Sequence, residues 1–200
     1  MSFKTELETI RRSQIIEAAL AKISEMGMAS VTLEDIAKEA GLSKGGVAHY
    51  FSSKEALFMD AFREFFDRIF ARSRLTMDGC ADPLSKLLSF GWLYNWDDPD
   101  VNRGYPLLLD FMAASSRNED YRRLFREWVD GWIALLKEAV EEGQREGLFR
   151  GLDPDGTARC VSSIYHGIAV RWYLDRESHS TEWAVGSCVR SIGRLLERGE

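Results

Sequence analysis

Capping residues and glycines punctuate the stretch from Val31 to Phe66, VTLEDIAKEAGLSKGGVAHYFSSKEALFMDAFREFF, so closely that it has room only for short helices before a long one begins. Thr32 and Asp35 fit the [ST]-x-x-[DE] capping box, in which each side chain takes up an amide that the helix end leaves without a partner. Ile36, Ala37 and Ala40 give a short apolar face, and Gly41 can adopt the left-handed conformation that ends such a helix. Ser43 is placed to cap a second helix, KGGVAHYF, on which Val47 and Phe51 form an apolar i, i+4 pair. Ser52 and Glu55 read as a further capping box that opens the long helix from Ser53 onward. Helix, glycine turn, helix is the pattern of a helix-turn-helix, whose second helix enters the DNA major groove.

The rest of the chain also reads as helical, with no period-two strand pattern. A first helix is expected over Thr9–Met26, with Ile15, Ala19, Leu20, Ile23 and Met26 on one side and Gly27 as its stop. The long fourth helix carries a wide apolar stripe from Leu57 and Phe58 to Ile69 and Phe70, and a break at 78–82 ends it. Asp82-Pro83 is a good N-cap and first-turn pair for the next helix. Further helices are expected over Pro83–Trp96, Tyr105–Ser116, Glu119–Glu146, Pro154–Arg176 and Thr181–Arg198, with loops at Asp97–Gly104 and Gly147–Asp153. The predicted fold is all-α. An N-terminal three-helix helix-turn-helix domain (residues 1–54) is joined through helix 4 (53–74) to a larger helical ligand-binding and dimerisation domain (75–200).

The ordered runs IIEAALAKISEMG, VTLEDIAKEAGLSKGG and HYFSSKEAL resemble the DNA-binding domain of the TetR family of bacterial transcriptional regulators, from about Arg11 to about Phe62. The resemblance implies DNA contacts at matching positions. Thr32 would turn its hydroxyl and amide towards a phosphate at a helix N-terminus. Ser43, Lys44 and the Gly45-Gly46 pair open the recognition helix, where missing side chains let the backbone approach the bases. His49 and Tyr50 would donate hydrogen bonds, and Lys54 would hold a phosphate as a point charge. Ala48 departs from the family, which often has Tyr there, and no Arg, Asn or Gln on this helix spells out a base sequence. The resemblance further implies a homodimer on a palindromic double-stranded DNA operator, with half-sites about 34–36 Å apart or a multiple of that.

Charge and composition bound the alternatives. The net charge of −6 falls entirely outside residues 1–75, where Lys and Arg balance Asp and Glu. Modest non-specific DNA affinity is therefore expected, with Arg11, Arg12, Lys44 and Lys54 as candidates for a basic face. No apolar run is long enough to span a bilayer, and MSFKTELETIRRS lacks the apolar segment of a secretory signal. Cys80, Cys160 and Cys188 are odd in number and widely separated, which suits a reducing cytoplasm. His49, His166 and His179 have no metal-ligand spacing, and no phosphate loop or nucleophile elbow is present. The expectation is a cytoplasmic protein without metal, cofactor or enzymatic activity.

Two features point to a sensor. Val161, Ile164, Tyr165, Ile168 and Trp172 fall at helical spacing, as do Val185, Val189, Ile192, Leu195 and Leu196. These stripes on the last two helices fit either a homodimer contact or internal core. The middle of the chain is rich in aromatic residues, with Trp92/Trp96 and Trp128/Trp132 as i, i+4 pairs. Together with Tyr105, Phe111, Tyr165 and Trp172 they could line a pocket for a bulky hydrophobic or cationic effector, assisted by Asp97, Asp98, Asp100, Asp110 and Asp130. Plain core packing explains the tryptophans equally well. The reading is a ligand-responsive DNA-binding regulator, a repressor released from its operator by the effector. Its rival is a small-molecule-binding or protein-interaction module without sequence-specific DNA binding.

Overall fold

The computed structural model describes residues 3–197, and no strand occurs among them. The chain divides into two compact units, and the dividing points fall inside helices. One unit comprises the chain up to Arg68 together with Asn102–Phe125; the other comprises Ile69–Val101 and everything from Arg126 on. These units differ from the linear split at 54 and 75 expected from the sequence, because residues 102–125 group with the first unit.

The first unit opens with α1 (Phe3–Met26), α2 (Leu33–Glu39) and α3 (Lys44–Tyr50), followed by the start of α4 (Lys54–Asp78). Ile15, Ala19, Ile23, Val31, Ile36, Val47, Leu57 and Phe62 meet in its core. The capping box at α2 is complete: Thr32 Oγ1 accepts from Asp35 N, and Asp35 Oδ2 accepts from Thr32 N. At the other end Gly41 has φ +66°, and Leu42 N–H donates to Ala37 O while Gly41 N–H donates to Lys38 O. That is the Schellman arrangement, which only a residue at ease in left-handed backbone can complete. Ser43 caps α3 through Gly46 N. One cap lies a residue later than expected: Ser53, not Ser52, accepts from Ala56 N at the start of α4. A capping box needs an acid three residues beyond the cap, and there Ser53 finds Ala56.

The same unit receives most of α6 (Pro99–Ser115) and the start of α7 (Glu119–Arg145). Phe111 lies 4.8 Å from Phe62 and 4.7 Å from Phe66 between ring centroids, with Tyr121 edge-on to both Phe62 and Phe111. The loop expected at Asp97–Gly104 is helical from Pro99. Asp98 Oδ1 accepts from Asp100 N, so Asp98-Pro99 is another cap and first-turn pair. Gly104, expected in the loop, sits inside α6. A Cβ at Gly104 would come within 3.2 Å of the Phe65 ring, so glycine there permits a close approach.

In the second unit, α4 ends at Asp78 and α5 (Pro83–Leu88) starts from an Asp82 cap. The helix expected over Pro83–Trp96 stops early and is followed by a 3₁₀ turn, Phe90–Tyr94. Beyond the body of α7 come α8 (Pro154–Leu174) and α9 (Thr181–Glu197); Arg198, expected in the last helix, lies outside the described residues. The α8–α9 pair packs together and against the 3₁₀ turn. Buried polar groups stitch this core. Tyr165 Oη donates to Leu87 O at 2.8 Å, Tyr94 Oη to Tyr165 O at 3.1 Å, and Trp172 Nε1 to Thr181 Oγ1, which donates to Tyr94 O. The 147–153 segment is a packed turn in which Gln144 Nε2 donates to the carbonyls of Phe149 and Leu152.

Candidate DNA-binding face and effector region

Helix α3 is anchored by one side. Val47 is buried and Phe51, at its C-cap, nearly so, while Lys44, Gly45, Ala48 and His49 stay exposed and Tyr50 is half-buried. The His49 and Tyr50 rings meet edge-on at 5.1 Å. Gly45 and Gly46 have ordinary helical backbone, and a Cβ at either would meet nothing closer than 3.5 Å. The chain itself therefore gives no steric reason for the two glycines. On a seven-residue helix they cost about 0.5–1 kcal/mol each relative to alanine.

Several sequence-chosen donors are already engaged. Lys44 Nζ bonds Glu34 Oε1 at 2.7 Å, and this hydrogen bond holds the Glu34 carboxyl below its usual range. Both the amide and the hydroxyl of Thr32 point at Asp35 Oδ2, which lowers the Asp35 pKa in turn. Thr32 thus caps its helix, and Glu34 and Asp35 place negative charge beside it. Arg12, a candidate for the basic face, pairs with Asp60, donates to the Tyr50 carbonyl at 3.2 Å and lies 4.4 Å over the Phe51 ring. It steadies the C-terminal end of α3, where a cation is favoured. Lys54 Nζ lies 5.1 Å from the Phe58 ring centroid. Within this unit α6 also holds the turn after α1, since Asp110 accepts from Met28 N at 2.6 Å and Arg103 O accepts from Ser24 Oγ.

The eight aromatic residues chosen as effector contacts are divided between the two units. Tyr105 and Phe111 belong to the core of the first unit. In the second, Trp92 lies in the 3₁₀ turn and Trp96 beyond it, so the pair shares no helix face. Trp96 stacks on Trp172 at 4.0 Å and takes the Arg176 guanidinium on its ring at 3.3 Å. Trp92 takes the Arg72 guanidinium at 4.0 Å. Trp128 and Trp132 do share a face of α7, and both rings lie near His166, at 5.2 and 5.8 Å. Burial pushes the His166 pKa down to about 4, keeping the ring neutral. Trp132 Nε1 is buried without a hydrogen-bond partner among the described residues. Tyr165 lies in the hydrogen-bonded core described above. Burial raises the Cys188 thiol to about 11 beside Tyr94 Oη, so it is not a reactive thiolate.

Residues 15–61 match the profile of the bacterial regulatory proteins of the tetR family, and residues 94–197 match that of the C-terminal part of BetI-type transcriptional repressors. The chain belongs to the TetR family. Among curated relatives, this TetR-family regulator is 29% identical over 175 residues to the transcriptional repressor KstR2 of Mycobacterium tuberculosis H37Rv, covering 82% of this chain and 81% of the relative. It is 39% identical over 127 residues to the regulator BetI of Stenotrophomonas maltophilia R551-3, covering 62% and 63%. A transcriptional regulator from Saccharomonospora viridis, solved in complex with choline, superposes with a TM-score of 0.80 at 24% identity over 94% of this chain and 96% of that one. A regulator from Streptomyces coelicolor A3(2) gives a TM-score of 0.74 at 27% identity, covering 93% and 98%.

The TetR-family protein is a DNA-binding transcriptional regulator, as its relatives are. Among the described residues, no helix is long and apolar enough to cross a membrane, and no group of His, Cys, Asp or Glu could hold a metal ion. Sequence reading passed over Glu34 and Arg72, and it did not foresee the partners of Arg12. No periodicity marks such residues, because each acts through a partner distant in sequence.

Proposed function

We propose that the protein is a homodimeric repressor of a palindromic operator, released by a small organic cation. The observation that carries the DNA-binding part is α3 itself: a helix fastened by Val47 and Phe51, with two uncrowded glycines and an exposed row of Lys44, Gly45, Ala48 and His49. Thr32, Ser43, Lys44, Gly45, Gly46, His49, Tyr50 and Lys54 are the contacts this reading assigns. Dimerisation is assigned to α8 and α9. Val161, Tyr165, Trp172, Ile192 and Leu196 are turned into their own unit, whereas Ile164, Ile168, Val189 and Leu195 keep exposed area for a second copy.

The effector class is supported by the choline bound to the Saccharomonospora viridis protein and by the number of indole faces in the second unit. Coupling is reciprocal: the effector must bind the DNA-free state more tightly by the factor by which it weakens DNA binding. Selection of duplexes from a random pool, against a Lys44→Ala, Tyr50→Ala variant, tests the reading. Enrichment of a palindrome that the variant fails to enrich is expected. No enrichment at low salt would overturn the repressor reading and favour a binding module that leaves DNA alone.

A further inference from the structure

The Arg72 side chain of α4 sits in surroundings that would suit a free organic cation. Its guanidinium carbon is 4.0 Å from the Trp92 ring centroid, its Nη2 bonds Asp98 Oδ2, and its Nη1 lies 3.4 Å from Asp100 Oδ2. The Asp98 side chain is only 13% exposed, and its other oxygen already accepts the Asp100 amide at the start of α6. A carboxylate so placed needs a positive partner, because an unpaired charge with little access to water is costly. The Arg72 side chain, by contrast, is 33% exposed and has a way out to solvent. An indole face flanked by carboxylates is the chemistry that recognises a quaternary ammonium group.

We propose that Trp92, Asp98 and Asp100 form a binding site for a small quaternary ammonium ion, and that Arg72 is its internal occupant, displaced when the effector binds. This rests on the organic-cation reading above and gives that reading a place and a device. The occupant belongs to α4 and the carboxylates to the start of α6, so exchanging one cation for another unties these two helices. Both run on into the first unit, where α4 begins just after the recognition helix and Asp110 of α6 holds the Met28 amide. The second arginine–indole stack supplies a contrast. Arg176 covers Trp96 at 3.3 Å, but it has no ion pair among the described residues, and Trp96 also stacks on Trp172.

An occupant tethered to the same chain competes with a free cation for the indole face and the carboxylates, so its removal tightens binding of that cation, by about tenfold for each 1.4 kcal/mol of the displaced pair. The experiment is calorimetric titration of the full chain with tetramethylammonium chloride, using wild type, Arg72→Gln, Arg72→Gln with Asp98→Asn, and Arg176→Gln. Each variant is first checked for a cooperative thermal transition, and Arg72→Lys, which keeps the charge but lacks the planar stack, stands in should the glutamine variant fail to fold. The proposal expects tighter binding by Arg72→Gln, an intermediate gain for Arg72→Lys, loss of the gain in the double variant, and no gain for Arg176→Gln. Equal or weaker binding by the Arg72 variants, with wild type still binding the cation, would overturn the site while leaving the cationic effector standing. No binding by any variant would remove the cationic effector and this site together.

Discussion

Gly45→Ala separates what α3 does for the fold from what it does for DNA. The added Cβ would lie 3.9 Å from Ser43 Oγ, with nothing nearer, and Gly45 has no left-handed backbone to strain. Within the chain the methyl group therefore brings only the gain in helix propensity, about 0.5–1 kcal/mol. For a chain of this length that raises Tm by roughly 1–4 °C. If the backbone of α3 lies against DNA, the same methyl meets a surface that cannot retreat, at a cost of about 1–3 kcal/mol, or roughly 5- to 150-fold in affinity. Thermal unfolding without DNA and fluorescence anisotropy on the selected duplex measure the two effects on one preparation. A variant that is more stable and binds as tightly as wild type would refute the close approach and leave the glycines without a reason.

Other outcomes follow from specific contacts. Glu34→Gln frees Lys44 from its 2.7 Å partner and removes a negative charge beside the recognition helix; operator affinity should rise by up to about fivefold, the ceiling for an exposed pair, and more so at low salt. Unchanged anisotropy titrations would mean that Lys44 reaches no phosphate. A Cβ on Gly143 would come within 2.3 Å of the Phe149 ring, so Gly143→Ala should lower stability by about 1–3 kcal/mol. In a double-mutant cycle with Phe149→Ala the two losses should be less than additive; full additivity would refute the clash. Burial lowers the His166 pKa from 6.5 to about 4, so the unfolded chain takes the proton first as pH falls. The stability tied to the neutral ring is complete above 6.5, declines below it and is gone under about 4, a loss of about 1–3 kcal/mol. His166→Asn should flatten that slope in denaturant titrations between these pH values, and an unaltered slope would show that His166 is not its source.

How far the sequence could be read depended on the range of each interaction. The caps at Thr32, Ser43 and Asp82, the turn at Gly41 and the α2–α3 boundaries were legible because each is settled within about one helical turn. Ser52 was chosen over Ser53 because the acid at Glu55 looked like its partner, and α6 was begun too late because the Asp, Asn, Pro and Gly residues of 97–104 look like a loop. In both places a neighbouring residue outweighed the local signal, the second time through the close approach of Phe65 to Gly104.

The recognition helix, the all-helical class and the amphipathic faces of α8 and α9 were thus determined by the sequence alone, since helix phase and end chemistry are local. Tertiary structure decided which partner each face meets. It sent Tyr105 and Phe111 to one unit and Trp128 and Trp132 to the other, turned Arg12 to Asp60, and set Arg72 between Trp92 and Asp98. Periodicity says that a side chain faces inward, but not what lies opposite it. A cation bound within its own chain is chosen by burial and by the position of a carboxylate 26 residues away, and neither is written in the residue's neighbourhood.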